Sequence, residues 1–92
     1  MPQRTVAVAS RVGLHARPAS LFTQAVATSG HAVTIARGDG PAVDASSILM
    51  VMTLGAGHGD LVTVTVDGAD AERVLGELVG LLETDLDAPE AS

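Results

Sequence analysis

The chain has 92 residues, a formal net charge of −6 and 47% apolar residues, yet only one aromatic side chain, Phe22. The absence of cysteine excludes disulfides, thiol chemistry and cysteine-based zinc sites. The acidity argues against a nucleic-acid binder, which needs a basic face.

The length fits a single domain over residues 1–92, with a core of Val, Leu, Ile and Ala. No basic-then-apolar leader opens the chain and no apolar run reaches the length of a membrane span, so a soluble, cytoplasmic protein without membrane contact is expected. Charge is unevenly placed. Arg4, Arg11, Arg17 and Arg37 give +4 over the first 38 positions, and all 11 acids with Arg73 give −10 over the rest. This distribution fits either one electropositive region on an acidic body or chance in a chain with few charges.

In chain order, the alternation of "RTVAVAS" (4–10) predicts a strand with Val6 and Val8 on one face. Gly13 permits a turn within "RVGLH" (11–15). From Ala16 to Ser29 the period becomes helical, with Ala19, Phe22 and Val26 on one face and Gly30 as the stop. "HAVTIA" (31–36) is a second strand through Val33 and Ile35, and "RGDGP" (37–41) turns the chain into a short strand around Ala42 to Asp44. "SSILMVMTLG" (46–55) reads as a short helix capped by Ser47 and stopped by Gly55. After the loop "GAGHGD" (55–60), "LVTVTVD" (61–67) is a strand with Val62, Val64 and Val66 inward. "ADAERVLGELVGLLE" (69–83) carries Ala71, Leu75, Leu78 and Leu82 at helical spacing, with ordinary acidic capping at its start. Residues 84–92 form an acidic tail, expected to fray. The order β-α-β-β-α-β-α, with strands polar on one face and amphipathic helices, predicts a two-layer α+β domain whose antiparallel sheet is covered on one side.

"VGLHARPAS" (12–20) stands out because the helix predicted from Ala16 has no Ser, Thr, Asp or Asn before it. The unpaired amides of such an end, at the positive pole of the helix, make an anion site suited to phosphate. His15 falls at the N-cap position, where the helix field favours neutral, nucleophilic imidazole. Arg17 adds a forked, permanently charged donor. Pro18 is tolerated in a first turn, although it biases Arg17 away from helical dihedrals. The chemistry survives with Arg17 on either side of the helix boundary. Taken alone, the stretch fits a solvent-facing loop histidine beside an incidental arginine better than a phosphoryl acceptor.

Three passages together change that balance. "GLHARPAS", "SSILMVMTLG" and the "LVTVTVDGAD" strand-to-helix junction resemble, in sequence and order over residues 3 to 83, the HPr family, the histidine phosphocarriers of the bacterial phosphotransferase system. The resemblance implies an open-faced β-sandwich with three helices on one side of a four-stranded antiparallel sheet. It implies a carrier and not an enzyme, with no cofactor. His15 would take a phosphoryl group on Nδ1 from phospho-enzyme I, and would pass it to the IIA domain of a sugar permease. Arg17 and the amides of Ala16 and Arg17 would contact the phosphate. Ser47 would be the site of a regulatory serine kinase found in some bacteria. Ser20, Leu21, Gln24, Leu49 and Met52 would form the docking surface, on a monomer that serves partners in turn.

The physics of "ILMVM" agrees with a docking role, since a short helix apolar all round cannot bury every face. Ile48 and Val51 are assigned inward, and methionine suits a surface that fits several partners. Two departures stand out: position 12, usually polar in the family, is Val12, and all five basic residues are arginine. Docking is therefore expected to lean on apolar contact. "RGDG" (37–40) is read as a turn, "GAGHG" (55–59) lacks the strand-before-helix context of a nucleotide loop, and His15, His31 and His58 have no metal-ligand spacing. A different class, a regulatory docking module acting through Ser47 and the apolar patch, would need no nucleophile at position 15. A paralogous carrier for nitrogen regulation or a dihydroxyacetone kinase would keep the same chemistry.

Overall fold

The computed structural model describes residues 2–10, 13, 14 and 16–84. Seven elements follow one another: β1 (Gln3–Ala7), α1 (Ala16–Ser29), β2 (Ala32–Arg37), β3 (Val43–Asp44), α2 (Ile48–Thr53), β4 (Leu61–Asp67) and α3 (Ala71–Leu82). The strands form one antiparallel sheet in the order β1-β4-β2-β3, so that the first and last strands in sequence are neighbours.

The period-two pattern explains the two faces of the sheet. Val6 pairs with Val62, Ile35 with Val64 and Val33 with Val66, and all six side chains are buried on the helix-covered side. On the other side the polar residues pair with one another, Thr5 with Thr63 through their hydroxyls at 2.8 Å. The helices fill the layer above the valines. Ala19 and Phe22 of α1 have no exposed surface, Val26 has almost none, and α3 contributes Val74, Leu75, Leu78, Val79 and Leu82. Helices on one face and polar residues on the other make this the open-faced α+β sandwich expected from the sequence.

Several boundaries differ from the sequence reading. β1 begins at Gln3 and ends at Ala7, but Val8 is buried as expected. Val8 continues towards β4 by donating to the Asp60 carbonyl at 3.0 Å and accepting from the Gly59 amide at 2.8 Å. The acidic cap expected at α3 is absent: Asp70 sits at the N-cap in the left-handed region (φ 58°) and its side chain makes no capping bond. Glu72, in the first turn, supplies a favourable helix-dipole interaction. Thr84 belongs with α3, not with a frayed tail, since its hydroxyl donates to the Gly80 carbonyl at 2.8 Å and its amide to that of Leu81. The remainder of the acidic tail, 85–92, lies outside the described residues.

Candidate functional site

The segment entering α1 is fixed from below by the loop between α2 and β4. The Leu14 amide donates to the Ala56 carbonyl at 2.9 Å, and both side chains are buried. Gly13 makes this approach possible. Its φ is +73°, and a Cβ there would lie 2.5 Å from the Ala56 oxygen and 2.8 Å from the Gly57 Cα. The loop is braced in turn: Asp60 pairs with Arg37 at 2.9 Å and accepts from the Gly57 amide at 2.9 Å. Arg37, read from sequence only as part of a turn, thus helps hold the floor beneath position 14.

α1 starts at Ala16, and its first turn contains no acidic residue to compete for the helix amides. Arg17 lies inside the helix despite preceding Pro18. Its side chain is exposed, and no described residue bonds to it. Pro18 is buried, in the first turn where its missing N–H removes no helical hydrogen bond. His15 and Val12 lie outside the described residues. The chain on either side of position 15 is nevertheless fixed by the Leu14 anchor and by the helix that begins at the next residue.

The other candidate residues occupy α1 and the neighbouring α2. Ser20 is half-buried and accepts from the Gln24 side chain at 3.2 Å, while Gln24 and Leu21 are exposed. Leu49 is 73% exposed and Met52 38%, whereas Val51 is fully buried and Ile48 packs partly on the core. Met50, which the sequence reading passed over, is 42% exposed. The signal was available: on a six-residue helix that turns 48 and 51 inward, 49, 50 and 52 must face out. These three side chains and Leu21 are exposed hydrophobic groups on α2 and the neighbouring α1.

Ser47 caps α2 as expected. Its backbone is extended (φ −102°, ψ 115°) and its Oγ accepts from the Met50 amide at 3.3 Å. Just upstream, Asp44 accepts from the Ser46 amide at 2.9 Å and the Ser46 hydroxyl at 2.7 Å. These two bonds lower the Asp44 pKa from its ordinary value, first through the Ser46 hydroxyl and then through the amide. The preference for the carboxylate stabilises the fold above the ordinary value of 3.8 and is lost as pH falls through the lowered one. Replacing Ser47 with alanine is expected to cost about 1 kcal/mol, the usual worth of an N-cap hydroxyl. Urea denaturation of the two proteins measures it.

Among the described residues no three His, Asp or Glu side chains gather as a metal would require. Among the same residues no helix is long and apolar enough to cross a membrane.

Residues 2–84 match the family model described as the PTS HPr component phosphorylation site. The chain is 42% identical over 87 residues to the phosphocarrier protein HPr of Streptomyces coelicolor, covering 95% of this chain and 94% of that one. It is 34% identical over 83 residues to the HPr-like protein Crh of Halalkalibacterium halodurans, covering 90% and 98%. The crystal structure of an HPr from Thermoanaerobacter tengcongensis superposes with a TM-score of 0.87 at 32% identity, over 98% of this chain and all of that one.

Proposed function

The chain belongs to the HPr family of phosphotransferase-system phosphocarriers, and from that premise we propose that His15 accepts a phosphoryl group from phospho-enzyme I and gives it to the IIA domain of a sugar permease. The observation that carries the reading is the start of α1, whose first turn has no acidic residue and whose Arg17 guanidinium is exposed and bonded by no described residue, next to position 15. The lone pair of neutral imidazole at Nδ1 attacks phosphorus, the new N–P bond forming as the donor's bond to phosphorus breaks. In the second transfer the N–P bond breaks in favour of the acceptor's nucleophile. No general base or metal is required, because phosphoryl transfer depends chiefly on positioning and on neutralising charge. The amides of Ala16 and Arg17 and the Arg17 guanidinium supply that charge from one side. The partner completes the site from the other, so the chain acts as a carrier and not as an enzyme, in the cytoplasm, as a monomer.

The docking surface is Leu21, Leu49 and Met52, extended by Met50, with Ser20 and Gln24 at its polar margin. The absence of lysine leaves apolar contact as the main source of affinity. Replacing Leu49 with glutamate is therefore expected to raise the enzyme I KM for this protein by about tenfold or more while leaving the fold intact. Steady-state phosphorylation assays and circular dichroism check both halves of that statement.

The direct test is intact mass after incubation with enzyme I and phosphoenolpyruvate, before and after mild acid. One acid-labile phosphoryl group is the expected result. No gain of mass with an enzyme I active on another carrier would overturn the assignment of donor. The similarity to Crh favours a second reading, a docking module regulated through a Ser47 kinase, and Ser47→Ala separates the two. It is expected to abolish ATP-dependent labelling and leave phosphoenolpyruvate-dependent labelling untouched.

A further inference from the structure

His31, the first residue of the predicted second strand, lies just past the C-terminal end of α1, before β2, and joins it to the turn between β4 and α3. Its Nδ1 meets the Ser29 carbonyl at 2.8 Å and its Nε2 meets the Ala69 carbonyl, a contact between positions 38 residues apart. The backbone amide of His31 donates to the Ser29 hydroxyl at 3.1 Å, and that hydroxyl donates to the Val26 carbonyl at 2.7 Å. The ring also lies against Gly68, where a Cβ would stand 2.9 Å from the imidazole Cδ2 and where φ is +125°.

Carbonyl oxygens only accept hydrogen bonds, and a neutral imidazole has one N–H to give. A ring bonded to two carbonyls must carry both N–H groups, and is therefore imidazolium. The location favours that charge, since α1 has no basic residue in its last turn and His31 stands at the negative end of the helix. We propose that His31 is a proton-operated clamp: as imidazolium it ties the end of α1 to the β4–α3 turn, and deprotonation breaks one of the two ties.

The charges around the ring divide. Asp70, at the N-cap of α3, favours the cation, and Arg73, one turn into α3, opposes it. From β3, Asp44 lines the same surface groove as His31, and Asp67 of β4 stands opposite Ala32 in the register. The last turn of α1 contributes no titratable group. The bond to Ala69, then that to Ser29, raises the His31 pKa from its ordinary 6.5 against a smaller opposing effect of desolvation. Because the folded value is the higher one, the stabilisation is complete below 6.5 and is lost as pH rises through the raised value.

The test is a proton NMR titration of the imidazole resonances, joined to thermal unfolding from about pH 5.5 to about pH 8.5. The His31 midpoint is expected above 6.5, and Tm is expected to fall with rising pH across that midpoint. His31→Asn is expected to lose that part of the slope. Gly68→Ala, which pushes the ring off its seat, is expected to return the midpoint towards 6.5. A wild-type midpoint at or below 6.5, or a His31→Asn protein with the wild-type slope, would overturn the clamp. The wild-type titration decides even if a variant fails to fold.

Discussion

The His15→Ala protein is expected to fold, to dock with enzyme I and to gain no phosphoryl group at all. Alanine removes the proposed nucleophile. The Leu14–Ala56 hydrogen bond, the Arg37–Asp60 brace and α1 itself all rest on other residues. The loss is expected to be total because, in the mechanism proposed, the imidazole is the group that bonds to phosphorus; amides and a guanidinium cannot replace an attacking lone pair. The chain has two other histidines, which makes the experiment discriminating. As imidazolium, His31 has both ring nitrogens engaged with carbonyls, so in that form neither offers a free lone pair. Acid-labile label surviving in His15→Ala would place the acceptor elsewhere and sink the assignment. Intact mass of the variant beside the wild type, with competition for enzyme I as a check on docking, reads both outcomes.

The second large effect is expected at Gly13, where a single methyl group tests how the site is positioned. Two glycines share nearly the same backbone angle: Gly13 at φ +73° and Gly30 at +70°. A Cβ at Gly30 meets nothing within 4 Å, so Gly30→Ala bears the conformational cost alone, about 1–2 kcal/mol. At Gly13 the same methyl would penetrate the Ala56 carbonyl and the Gly57 backbone, which have no flexible side chain to move aside. The α2–β4 loop and the start of α1 must separate, forfeiting the Leu14–Ala56 bond and the burial of both side chains. A total cost of about 3–5 kcal/mol is expected, in the range of severe core substitutions. Phosphoryl acceptance is expected to fall by about a hundredfold or more, because a displacement of an ångström at the reacting group suffices for that. Urea denaturation and initial rates of labelling for the two variants provide the comparison. If Gly13→Ala behaved like Gly30→Ala in both, the close approach would have no part in positioning His15.

How much of this was legible in the sequence depends on how far apart the determining residues lie. α1 is legible to both of its ends, Ala16 and Ser29, because Phe22 and its helical neighbours and Gly30 are local signals. β4 was equally clear, its alternation of Val and Thr being undisturbed from Val62 to Val66. The Ser47 cap followed from one serine before an apolar run, and its geometry agrees. Asp70 was misread because an acid before a helix usually accepts from the first turn, whereas here the chain enters α3 through a left-handed residue whose side chain makes no capping bond. The strand order, the contact of Gly13 with Ala56 and the seat of His31 on Ala69 have no local signature. Each depends on backbone groups far along the chain, which periodicity does not register. The role proposed for position 15 rests on three separated passages taken together, since His-x-Arg-Pro is too short to decide by itself.

The strand order β1-β4-β2-β3 also governs how the molecule assembles. Thr5 and Thr63, bonded across the sheet, are 58 residues apart, and β2 likewise finds its long partner only in β4. Of the three strand pairs, only the short β2–β3 hairpin can form from nearby sequence. A two-residue strand is too little to hold a sheet by itself. The early part of the chain therefore remains without its main pairing partner until β4 arrives, and the entropy of closing that long loop falls on the folding barrier. The sheet is therefore expected to form late and nearly all at once, with β4 as the strand that completes it.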